Sequence, residues 1–133
     1  MNIKRYIIAA IVLFAFTFSY ESYVHGVLLN SIYHETPNIW RAEADMISFM
    51  PFNIAVLVIL ALWITFIFTK FYPHGGAKNG LRFGFYIGVL AGIQAAGAYF
   101  YLPISSMLAL YWFVAYVLES TVAGLLIGAI YKN

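Results

Sequence analysis

Two acidic residues, Glu21 and Glu119, lie deep inside apolar stretches of this chain. A carboxylate at the centre of a bilayer costs about 2.5–3.5 kcal/mol on insertion scales, so each is a candidate for chemistry. Counted at a rise of about 1.5 Å per residue from the end of its apolar run, Glu21 is ~22 Å deep, Glu119 ~18 Å and Gln94 ~20 Å. Three helices therefore place a polar side chain in one layer. His25 follows Glu21 at i+4, on the same helix face and one turn further along. Asn53 falls at a depth similar to that of His25. Glu21 and Glu119 could bind a proton or a cation, with His25 relaying. The same groups could instead hydrogen-bond one another and fix helix register. Both readings are open at the level of sequence. Glu21 and His25 alone are too few for a metal site, and no third ligand accompanies them.

A second polar group occupies residues 34–46. His34, Glu35, Glu43 and Asp45 are of the type that contacts a divalent cation, and Met46, Met50 and Met107 would suit copper(I). Their spacing matches no defined ligand pattern. The expectation is a solvated loop beside ordinary membrane methionines, with Arg41 paired to Glu35 or Asp45. No metal is assigned. The histidines His25, His34 and His74 are divided between opposite ends of the helices, which argues against a bis-His haem. The chain has no Cys, which removes disulfides, thiolate ligands and cysteine nucleophiles together. No nucleophile elbow, phosphate loop, dinucleotide fingerprint or HExxH run is present. No cofactor and no catalysis are expected, although a quinone or metal binder stands as a third reading.

The elements that must position these residues follow from composition. The chain of 133 residues is 64% hydrophobic and only 9% charged, where a soluble domain carries about 25% charge. It reads as one all-α integral membrane domain spanning residues 1–133, with the lipid bilayer as its first partner. A net charge of +2 gives no reason to expect nucleic acid. Apolar runs predict four transmembrane helices, at residues 6–33, 47–71, 80–101 and 105–131. A polar outer loop (34–46) and a short inner loop (72–79) join them. Lys4 and Arg5 before an apolar run resemble the start of a signal peptide. No small-residue cleavage site follows and the run is too long, so it is read as a retained first helix. Thr36 before Pro37 is expected to open a short interfacial helix bearing Trp40. Pro51 marks a kink or the true start of the second helix.

Lys4, Arg5, Lys70, Lys78, Arg82 and Lys132 fall on one side of this topology and only Arg41 on the other. The positive-inside bias puts both termini in the cytoplasm, in what is expected to be a bacterial inner membrane. Arg82 and Lys78 are expected to meet anionic headgroups.

Small residues recur every fourth position at Gly80, Gly84, Gly88, Gly92 and Ala96, and again at Ser120, Gly124 and Gly128. Such faces let helix backbones approach closely. Helices three and four are thus expected to form a tight small-residue hairpin in a four-helix bundle. The repeat drifts about 40° per step, so part of the stripe could dock another chain. The functional expectation is association without catalysis, as an accessory or assembly subunit of other membrane proteins or as a homo-oligomer. The alternative is a proton, ion or small-solute conduit built on the intramembrane acids.

Overall fold

The computed structural model describes residues 2–132. Among them four helical segments are long and apolar enough to cross a membrane: Ile3–Leu28, Met50–Phe71, Ala77–Phe100 and Ser106–Ile130.

The first begins as α1 (Ile3–Tyr23), three residues earlier than expected, because the Asn2 side chain caps it by accepting from the Arg5 amide at 3.1 Å. It does not run regularly to residue 33. A π-helical turn occupies Val24–Leu28, Leu29 sits at φ −98° and ψ 0°, and a short α2 follows (Asn30–His34). The expected interfacial helix is also broken. Pro37 opens a 3₁₀ turn, Pro37–Ile39, but the Thr36 hydroxyl caps nothing and is buried without a partner. Trp40 is extended, and α3 (Glu43–Ser48) starts afresh with Glu43 and Asp45 in its first turn, where the helix dipole favours acids. Pro51 lies in the first turn of α4 (Met50–Phe71), so it marks a start rather than a kink.

The turn into α5 (Ala77–Gly97) needs Gly75 at φ +63° and Gly76 at φ +98°. It is seated on the end of α6 (Ser106–Ile130). The Gly76 amide donates to the carbonyls of Gly128 at 3.0 Å and Tyr131 at 3.2 Å, satisfying helix-end acceptors. A 3₁₀ turn, Ala98–Phe100, ends the α5 segment, and Ser105 caps α6 by accepting from the Leu108 amide at 3.1 Å.

Packing runs from α4 to α1, from α1 to α6, and most closely from α6 to α5. The small-residue faces are spent on this last pair. A Cβ on Gly80 would lie 2.0 Å from the Gly124 carbonyl oxygen, and one on Gly84 2.0 Å from that of Ser120. Gly88 and Gly92 face the backbone at Tyr116 and Phe113, and Gly128 faces Gly76 and Gly80. The four glycines of the α5 stripe, Gly80, Gly84, Gly88 and Gly92, thus all meet α6 rather than two different neighbours. Both helices carry the same four-residue repeat, so the angular drift is shared and the two faces stay in contact along the stripe.

No comparable seam joins α4 to α5. They meet through rings at the end that carries the chain termini, where Phe83 lies 5.5 Å from Phe68 and 6.1 Å from Tyr72. Phe68, Ile127 and Tyr131 are buried there with Ala9 and Leu13. A second buried cluster, around Val24, Leu29, Ile104 and Leu108, packs with Trp40 and Trp112 at the opposite end.

Candidate functional site

Between these two clusters the four long helices surround a cavity of about 480 Å³, within the range of roughly 300–1,000 Å³ typical of small-molecule sites. Each supplies polar groups or apolar wall. Segment α1 gives Thr17 and Glu21, α4 gives Asn53, and α6 gives Tyr116, Glu119 and Ser120. The remainder is apolar, from residues such as Leu57, Ile64 and Ile87.

Glu119 is 6% exposed, the one acid buried in the described chain. It arrives there because its neighbours Ser120, Ala123 and Gly124 pack toward α1 and α5, carrying that face of α6 inward. Glu21 and Glu119 enter the same cavity wall from two different helices, and Thr17 lines it beside them. Two carboxylates in one low-dielectric wall repel each other unless a proton or a cation is shared between them.

From Glu21 a chain of contacts leads toward the Trp40 end. His25 Nε2 lies 3.2 Å from Glu21 Oε2, and His25 Nδ1 meets the Tyr33 hydroxyl. Trp112 Nε1 donates to that hydroxyl at 2.8 Å, and Trp40 Nε1 donates to the Tyr33 carbonyl at 3.1 Å. One assignment satisfies every member. Tyr33 accepts from Trp112 and donates to Nδ1, leaving Nε2–H to donate to Glu21. The break at Leu29 makes this possible. On an unbroken helix His25 and Tyr33 would be about 12 Å apart along the axis; here their rings stack at 5.9 Å. Burial raises the Tyr33 phenol above its ordinary value; the hydrogen bond from Trp112 opposes this and the charge of Glu21 adds to it. The hydroxyl therefore keeps the proton it donates.

Other expected members sit elsewhere. Gln94 is exposed and does not line the cavity. Asn53 is exposed on its helix but does reach the cavity wall. Ser22 and Thr121 return their hydroxyls to the carbonyls of Phe18 and Val117 on their own helices. His34, Glu35, Glu43 and Asp45 are all exposed, and among the described residues no three His, Asp or Glu side chains converge as a metal site needs. The Arg41 guanidinium lies 5.1 Å over the Phe49 ring, where a pairing with Glu35 or Asp45 was expected.

Sequence reasoning missed Thr17, Tyr116, Tyr33 and Trp112. Thr17 and Tyr116 were within reach of the spacing argument, standing four residues before Glu21 and three before Glu119 on shared helix faces. Comparison with protein-family models, curated proteins and solved structures gives no match.

Proposed function

We propose that the protein is a small-solute carrier of the cytoplasmic membrane, in which the Glu21/Glu119 pair exchanges a proton as solute binds. The observation that carries this reading is the presence of both carboxyls in the wall of one cavity lined by all four long helices. Intramembrane acids facing a cavity mark solute and proton pathways. The aromatic cluster of Phe68, Phe83 and Tyr131 lies below the cavity at the terminal end. The cluster around Leu108 and Trp112 lies at the other end, and a site flanked by packed residues at both ends suits alternating access better than a continuous pore. The Lys and Arg distribution supports a cytoplasmic position for the terminal end.

Proteoliposomes with an acidic interior and a trapped pH dye test the reading. They are challenged in turn with organic cations, organic anions and neutral solutes. One class is expected to discharge the gradient through the wild type at least about tenfold faster than through Glu119→Gln, the effect of losing an essential ionisable group. If every class leaves wild type equal to protein-free liposomes, the carrier reading fails.

A second reading is association with another membrane chain. It is favoured by the gap between α4 and α5, which a partner's helix would fill, and no longer by the glycine face that α6 already covers.

A further inference from the structure

The carrier reading leaves the solute open, and the cavity wall narrows it. Its lining holds two carboxyls and no Lys, Arg or His. His25 stands behind Glu21 rather than in the wall. An anion entering would face both acids with no cation to receive it, a juxtaposition that costs several kcal/mol in a low-dielectric site. A small hydrated ion is matched no better. Most of the wall is apolar, built from residues such as Leu57, Leu60, Ile64, Phe83 and Ile87, and could not replace a hydration shell. The volume of about 480 Å³ calls for a molecule with a body of its own.

The way in is lateral. Val56 and Leu60 line the cavity yet remain 53% and 46% exposed, because no seam closes α4 against α5. An opening at that depth between two membrane-spanning helices faces hydrocarbon. The solute must therefore be soluble in the bilayer as well as charged.

We propose that the cavity binds a lipophilic organic monocation, with its charge on the Glu21/Glu119 pair and its apolar body along the α4–α5 wall, entering sideways from the bilayer. Tyr116 and Phe83 also line the cavity, and aromatic rings are compatible with a bound cation. Charge complementarity selects this occupant over a neutral lipid chain, which would leave the acids without a partner.

This inference rests on the carrier reading, but its test is binding alone. Purified protein in detergent is dialysed against radiolabelled tetraphenylphosphonium, with tetraphenylborate as the anion of equal shape. Saturable phosphonium binding is expected, with affinity lowered at least about tenfold in Glu119→Gln, the scale of one desolvated charge pair. Asn53→Lys is the second variant. It sets a fixed cation at an exposed position on the cavity rim, so folding is spared, and it should weaken binding by a similar factor. Both variants are checked for helicity and elution volume. Equal binding of tetraphenylborate overturns the inference, as does binding that Asn53→Lys leaves unchanged. Binding without flux would sink the carrier reading and keep the site. Flux of a different solute class without phosphonium binding would do the reverse. If two chains cross-link across α4 and α5 and phosphonium does not bind, the occupant is a second copy and the proposal is wrong.

Discussion

Tyr33 holds the polar path together with one oxygen. It joins His25 to Trp112, so Tyr33→Phe leaves two buried-side polar atoms, His25 Nδ1 and Trp112 Nε1, without partners. An orphaned group of this kind costs about 1–3 kcal/mol. We expect a lower unfolding midpoint in detergent and a shifted Trp112 emission; an unchanged midpoint would show that the hydroxyl is dispensable. Thr65 gives the opposite sign. It is fully buried on α4 and its hydroxyl finds no partner. Thr65→Val keeps the shape and removes the unpaired group, so stability should hold or rise by up to about 1 kcal/mol. A clear loss would point to a bond from that hydroxyl. At this scale the sequence was partly legible. Glu21, His25 and Glu119 are found by depth and by i+4 spacing. Tyr33 is not, because the irregular turn at residues 24–29 brings it to His25. Gln94 was misplaced because depth says nothing of facing. It stands about 200° around the helix from Gly92, whose face is turned to α6, and therefore points away.

The glycine seam is the element on which the rest is aligned, and its tolerance can be graded by position. On Gly80 and Gly84 a Cβ would fall 2.0 Å from a carbonyl oxygen of α6, which cannot swing aside. On Gly88 and Gly92 the nearest atoms are 2.9 Å away. Gly97 has nothing within 4 Å and an ordinary helical φ of −60°. Gly80→Ala and Gly84→Ala should therefore destabilise by about 1–3 kcal/mol through forced separation of the helices. The same change at Gly88 or Gly92 should cost less. Gly97→Ala should gain about 0.5–1 kcal/mol by restricting the unfolded chain. Thermal unfolding of the series in one detergent checks the order, and equal effects at Gly84 and Gly97 would contradict the seam. The pairing of α5 with α6 was readable from the small-residue repeat that both helices carry. That Gly80, Gly84, Gly88 and Gly92 all serve this one pair was not, since the drift of a single helix ignores a partner that drifts with it.

At the scale of the molecule, the sequence yields four spans because apolar length is a local property. It does not yield neighbours. The link between α4 and α5 is short, yet it obliges only their adjoining ends to touch; above Phe68 and Phe83 the two helices enclose space instead of packing. Which leaflet that space addresses depends on orientation, and this carries the last prediction. Six of the seven basic residues lie at the end shared by both termini, and Arg41 alone lies at the other. A green fluorescent protein fused after the C-terminus should therefore fluoresce, and alkaline phosphatase fused there should be inactive, while insertion of the phosphatase between Pro37 and Trp40 should be active. Replacing Glu43 and Asp45 by Lys raises the basic count of that loop only to three, so the pattern should persist. The reverse pattern in the unmodified chain would turn the path from Glu21 through His25 to Tyr33 toward the cytoplasm. The Glu21/Glu119 pair of the proposed carrier would then exchange its proton with the inside rather than the outside.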